Sequence, residues 1–297
     1  MKPGKFWIAA TAILSVASLT YAAGVTPRPI RWTPMAISSG GYESSPTFSP
    51  DGHELYFIAA DQHFRSWRVM MSRCEARGWS APTPPSFAAH AGVIEADPFF
   101  TPDGKGLYFI SARQDPKNED FDIWYVARDG AHGWGTPERL PEPVNSPYDE
   151  LLPRTDRAGH LYFGSSRPGG LGNSDIYVAE RDGSGRWSVR NLGAPVSTAA
   201  DEYEAAVSED GNTLVVVADR GGRSHLYRFV KREDSWHEVG LVPADPHVFQ
   251  VGPLLSPNAQ RLLFAQATPQ KSGEMFLIDL VAGTREPWPP RCSPSAP

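Results

Sequence analysis

The chain repeats itself, and that repetition limits its fold more than any other feature. Ser45-Pro46-Thr47-Phe48-Ser49-Pro50-Asp51-Gly52-His53-Glu54-Leu55-Tyr56-Phe57 matches Asp97-Pro98-Phe99-Phe100-Thr101-Pro102-Asp103-Gly104-Lys105-Gly106-Leu107-Tyr108-Phe109. Further copies contain Thr155-Asp156-Arg157-Ala158-Gly159-His160-Leu161-Tyr162-Phe163, Val207-Ser208-Glu209-Asp210-Gly211-Asn212-Thr213-Leu214-Val215 and Leu255-Ser256-Pro257-Asn258-Ala259-Gln260-Arg261-Leu262-Leu263. Asp51, Asp103, Arg157, Asp210 and Asn258 hold one position, at spacings of 52, 54, 53 and 48. A period of this length marks an array or a propeller.

Within each copy, a short strand ends at Asp-Gly, which reads as a two-residue hairpin turn. An apolar second strand follows, such as Leu107-Tyr108-Phe109-Ile110. The third strand comes after a loop, as in Asp122-Ile123-Trp124-Tyr125-Val126 or Asp175-Ile176-Tyr177-Val178, and the fourth carries Trp. Four antiparallel strands per unit make a propeller blade. The second strands do not alternate apolar with polar residues, so both of their faces must be covered. Stacked blades do this; a long two-sheet sandwich would leave the period without a reason. The 27 Gly, 29 Pro and 11% aromatic residues suit short strands with frequent reversals.

The expected fold is therefore all-β, a propeller over residues 23–290 with five blades, six remaining possible. Trp32, Trp79, Trp134, Trp187, Trp236 and Trp288 recur at fourth-strand positions, one more than five blades need. Either residues 31–37 close the last blade as its outer strand, or residues 284–288 do; the first is favoured because it ties the ends together and removes an open edge.

Lys2 and Lys5 precede an uncharged stretch from Phe6 to Leu19, followed by Thr20-Tyr21-Ala22. This is the pattern of a signal peptide over residues 1–22, too short to span a bilayer, and it places the mature chain in the periplasm or outside the cell. Residues 291–297 read as a flexible tail. Cys74 and Cys292 are the two cysteines, and either one bridge or two separate thiols is open at this level.

These repeats resemble the TolB-type, WD40-like propeller repeats with a Pro-Asp-Gly turn. The resemblance rests most closely on Asp149-Glu150, Leu161-Tyr162-Phe163, Ser165-Ser166-Arg167, Gly169-Gly170-Leu171-Gly172 and Asp175-Ile176-Tyr177, and it covers about residues 31–288. It implies a propeller that binds a protein or glycan of the cell envelope as a monomeric module. Such repeats also occur in peptidases and polysaccharide lyases, which leaves a carbohydrate-active enzyme as the alternative.

A net charge of −6 argues against a nucleic-acid partner. The nucleophile elbow, the His-Glu-x-x-His motif, the phosphate loop and the dinucleotide fingerprint are all missing, and the eight His residues are scattered. No cofactor, metal or catalytic residue is expected. One charged constellation stands out. Glu43, Glu95, Asp149, Glu202 and Gln250 lie eight residues before the turn position, with Glu150 beside Asp149. Arg113, Arg167 and Arg220 follow the second strands, and Asp122 and Asp175 open third strands. Strand topology puts all of these on one face of the ring. They serve either as ties that fix the blades or as a surface for a partner.

Overall fold

In the computed structural model, residues 27–130 and 133–292 are described; the segment 1–22 read as a signal peptide and residues 293–297 of the expected tail lie outside them. Five antiparallel sheets stand around an axis, with no helix among the described residues. The first blade holds β2 (Tyr42–Phe48), β3 (Glu54–Ala60), β4 (Arg68–Glu75) and β5 (Gly78–Trp79). The second holds β6 (Glu95–Phe100), β7 (Gly106–Ser111) and β8 (Asp122–Asp129), whose outer side pairs with both β9 (Gly133–Trp134) and β10 (Glu138–Arg139). The third comprises β11 (Glu150–Thr155), β12 (Leu161–Ser165), β13 (Asp175–Arg181) and β14 (Trp187–Asn191). The fourth comprises β15 (Asp201–Val207), β16 (Thr213–Asp219), β17 (Ser224–Arg232) and β18 (Ser235–Leu241). In the last, β19 (Gln250–Leu255), β20 (Arg261–Gln266) and β21 (Glu274–Asp279) are completed by β1 (Ile30–Arg31). Five separate sheets exclude the sandwich.

The N-terminal segment closes the ring. Ile30 pairs with Leu277 and Arg31 with Phe276, so the paired stretch starts one residue earlier than 31–37 and is shorter. Trp32 donates its amide to Met275 O at 2.9 Å, and the Met275 amide returns to Thr33 Oγ1 at 2.8 Å. The chain then turns at residues 35–37 and buries Ile37. Trp288 is the surplus tryptophan. It belongs to no strand and packs with Phe48, Phe99 and Leu254 over the seam between last and first blades. Past it, Cys292 is bonded to Cys74 at the end of β4, with Cα atoms 5.3 Å apart.

The Asp-Gly turns differ from two-residue hairpins. Gly52 donates to Ser49 O at 2.8 Å, and Ser49 N bonds Glu54 O at 2.9 Å, which makes a four-residue reversal. Only the glycine takes a positive φ, +72° at Gly52 and +70° at Gly104. Pro50 suits the second position of such a turn, and Asp51 Oδ1 accepts the His53 amide at 3.0 Å, so the aspartate shapes the loop through its side chain. These turns define a turn face; the opposite end, where inner strands begin, is the loop face.

The inner strands carry a regular bulge. Pairing skips Ser45-Pro46, Asp97-Pro98, Leu152-Pro153 and Gly252-Pro253, because proline has no N–H for the ladder. The residue before each proline has a positive φ, between 46° and 62°. The fourth blade has Ala205 in place of the proline and skips only Tyr203, so Glu204 stays in the ladder opposite Val217. The core fills the gaps between blades with the second-strand residues, among them Tyr56, Phe109, Phe163 and Phe264, all fully buried.

Candidate functional site

The third repeat is one residue out of step with the spacing used above. Glu150 pairs with Ser165 as Glu95 pairs with Ser111, so Glu150, and not Asp149, is the counterpart of Glu43, Glu95 and Glu202. The cause is a residue missing between Gly159 and Leu161, where the second repeat has both Lys105 and Gly106. Asp149 lies just outside the strand and accepts the Phe121 amide at 3.2 Å.

Each of these acids is held from the connection that precedes its strand. Ser146 donates its amide to Glu150 at 3.1 Å, Thr198 to Glu202 at 2.8 Å, Ser39 to Glu43 at 2.9 Å and Ala89 to Glu95 at 2.9 Å. The arginine after the second strand supplies the cation. Arg167 lies 2.9 Å from Glu150 and also donates to Pro143 O and Val144 O, Arg220 sits between Glu202 and Glu238, and Arg113 pairs with Glu95. The guanidinium planes also lie over blade aromatics: Arg113 over Trp124, Arg167 over Tyr177 and Arg220 over Tyr227. Burial pushes the Glu150 carboxyl up to about 7 despite Ser146 and Arg167. Glu43 has no arginine; Lys271 Nζ is 3.9 Å away, and burial again raises its carboxyl. In the fifth blade Gln250 bonds His225 at 3.1 Å.

Asp122 is gripped by Arg139 at 2.5 and 2.7 Å, and Asp175 accepts the Leu171 amide at 2.7 Å. Among the sequence-selected acids, Glu95, Glu150, Glu202 and Asp122 each have an arginine partner and Glu43 has Lys271, whereas Asp149 and Asp175 accept only backbone amides.

A different constellation lies on the axis, two and four positions further along the inner strands. Asp97 accepts Ser45 Oγ at 2.9 Å and the Leu152 amide at 3.1 Å, joining the first three blades. Glu204 Oε2 accepts the Gly252 amide at 2.7 Å, joining the last two. Arg154, 1% exposed, donates Nη1 to Pro153 O at 3.1 Å and to Pro98 O at 3.4 Å, and lies over the Phe99 ring. Burial raises the carboxyls of both Asp97 and Glu204 and lowers the Arg154 guanidinium; for Glu204 the Asp97 charge adds to the rise. Glu204 is only half-buried, and its Oε1 has no hydrogen bond among the described residues. The sequence signal for this site was the x-Pro step that recurs in four copies and fails at Glu204-Ala205.

Beyond the Arg154 layer, a cavity of about 200 Å³ opens to the turn face, walled by Phe48, Phe99, Leu254 and Trp288. Among the described residues no group of three or more His, Cys, Asp and Glu could hold a metal ion, and no helix is long and apolar enough to cross a membrane.

No family model and no curated protein sequence matches the chain. Solved structures do. TolB from Acinetobacter baumannii superposes with a TM-score of 0.53 at 18% identity, covering 82% of this chain and 56% of that one. A family 117 glycoside hydrolase from Zobellia galactanivorans gives 0.56 at 12% identity, covering 88% and 92%. A puromycin-hydrolyzing peptidase from Mycobacterium tuberculosis gives 0.47 at 15% identity, covering 77% of this chain. The chain thus spans little more than half of the TolB chain and about a third (35%) of the peptidase. At these identities the likeness is one of fold: a β-propeller.

Proposed function

We propose that the chain is an exported propeller that works as a binding module for a protein or glycan of the cell envelope or its surroundings, taking its ligand at the axial mouth on the loop face. The observation that carries this reading is Glu204. Its half-buried carboxyl group accepts the Gly252 amide on one oxygen and has no other hydrogen bond and no ion pair among the described residues, whereas the rim acids are consumed by arginines and loop amides. Export is supported by the pattern of residues 1–22 and by the Cys74–Cys292 bond, which suits an oxidising compartment.

The test titrates the immobilised mature protein with lysine-rich peptides and with neutral and acidic oligosaccharides. Binding of one class, weakened several-fold in Glu204→Gln and unchanged in Arg113→Lys, supports the reading. Equal affinity of parent and Glu204→Gln for every probe overturns it.

One observation favours a second reading, that of a carbohydrate-active enzyme. The buried Asp97 lies near enough for its charge to raise the half-buried Glu204 carboxyl, and a carboxyl so raised can stay protonated at neutral pH as a general acid. New reducing ends released from an oligosaccharide by the parent, and absent with Glu204→Gln, would establish it.

A further inference from the structure

On the turn side of the axis, the repeat is broken in one blade. Four positions after the rim acid stand Thr47, Phe99, Arg154, Ala206 and Leu254, and one position further Phe48, Phe100, Thr155, Val207 and Leu255. A ring held only by packing would keep both layers small or apolar throughout. The third blade instead places Arg-Thr there, and both residues line the cavity.

Both residues are left with unused polar atoms. Among the described residues, Arg154 Nε and Nη2 are buried without an acceptor and Thr155 Oγ1 is buried without a partner. No carboxylate among the described residues lies within ion-pair distance of the Arg154 guanidinium: Asp97 is engaged by Ser45 and Leu152, and Glu204 by Gly252. A buried guanidinium N–H without an acceptor is costly, so such groups point to something that completes them. Phe48, Phe99, Leu254 and Trp288 supply the apolar part of the wall; Thr47, Ser49, Thr101 and Glu209 line it too, and the Glu209 carboxylate is already paired with Arg157. An apolar cavity of roughly 150 Å³ holds a benzene ring, so about 200 Å³ has room for a ring or branched chain with one small polar head.

We propose that this funnel is a second binding site, for a small aromatic or branched aliphatic carboxylate. The carboxylate meets Arg154 and Thr155, and its apolar body lies between Phe99, Leu254 and Trp288. Arginine matches a carboxylate with two parallel N–H donors, which a neutral amide cannot use equally. The strap carrying Trp288 is held across the mouth by the Cys74–Cys292 bond, so one wall of the site is covalently positioned. The site is separate from the axial mouth on the loop face, and neither reading depends on the other.

The test is calorimetric titration of the mature protein with benzoate, cyclohexanecarboxylate and the neutral isostere benzamide, together with ligand-to-Trp288 proton contacts by NMR. Benzoate is expected to bind saturably, about tenfold or more tighter than benzamide, with contacts to Trp288. Leu254→Trp, which fills the funnel and leaves Arg154 in place, should abolish binding; Arg154→Met should erase the preference for benzoate over benzamide. Equal affinities for benzoate and benzamide in the parent, no saturable carboxylate binding, or benzoate affinity unchanged in a folded Leu254→Trp protein would each overturn the proposal. If Arg154→Met does not fold, the parent's selectivity and the Leu254→Trp result decide it.

Discussion

Gly252 donates its amide to Glu204 across the axis, and the same glycine lies so close to the first blade that a Cβ would stand 2.7 Å from Ser45 N. Its φ of +62° is a second reason for glycine there. Last and first blades therefore meet backbone to backbone at the point where the ring closes. Gly252→Ala should lower unfolding free energy by at least ~2 kcal/mol, since it adds a backbone clash to a strained φ. Urea denaturation measures this, and a change below about 0.5 kcal/mol would show that the seam adjusts freely.

The covalent tie acts on the same seam from outside. Cys74 and Cys292 are 218 residues apart in sequence, so their bond removes much of the freedom of the unfolded chain. In the chain-entropy model a loop of this length is worth a little over ~5 kcal/mol, and removing a native disulfide typically costs about 2–5 kcal/mol. Cys74→Ser should lose stability in that range without reductant and be indifferent to its addition. A parent protein with two titratable thiols under denaturing, non-reducing conditions would contradict the bond.

The other closure is the N-terminal segment. Removing residues 27–38 takes away β1, the Thr33 contacts with Met275 and the buried Ile37, and leaves β21 as an open edge. The shortened protein should aggregate or lose its single cooperative melt. An unchanged melting curve would mean that the last blade is stable without its fourth strand.

The blades were legible because their signals are local: apolar second strands and turns at a fixed period. Closure by the N-terminal segment was legible for a topological reason, since one Trp segment was surplus and the last blade lacked an outer strand. The axial site was not. Asp97, Arg154 and Glu204 are far apart in sequence, and what sets them apart is register: a missing proline at Ala205, and a one-residue gap before Leu161 that shifts the apparent counterpart of Glu202 from Glu150 to Asp149. Spacing alone counts residues, whereas a bulge or a shortened turn changes which residues face each other. The rim acids were found, but composition could not show that each already had a partner.

The rim pairs should behave as structural ties. Glu150 is fully buried and Arg167 is 13% exposed, so Arg167→Ala leaves a buried carboxyl and two carbonyls, Pro143 O and Val144 O, without their donor. Breaking a buried pair from one side costs about 3–5 kcal/mol. Glu150→Gln should cost clearly less, because the amide keeps its shape and its one oxygen can still accept from the Ser146 and Ser165 hydroxyls, losing only the Ser146 amide. Equal and small losses for both variants would place the pair in effectively aqueous surroundings.

Glu204 should give the protein a recognisable dependence of stability on pH. Its carboxyl is pushed up from 4.5 to about 8, first by burial and then by Asp97, with the Gly252 amide and Arg154 acting in the opposite sense. Between these two values the folded state holds a proton that the unfolded chain has released. The unfolded state then binds fewer protons, so unfolding free energy falls as pH rises. The contribution is complete below pH 4.5 and is lost as pH passes through about 8. Asp97 is shifted in the same direction by burial and adds to the slope. Glu204→Gln cannot ionise, so it should be close to the parent in stability near pH 4.5 and more stable than the parent above pH 8, with a shallower decline between. Urea titrations of both proteins at intervals across this range measure the difference directly. Parallel curves would show that Glu204 is ionised in the folded protein throughout, with Arg154 compensating its charge.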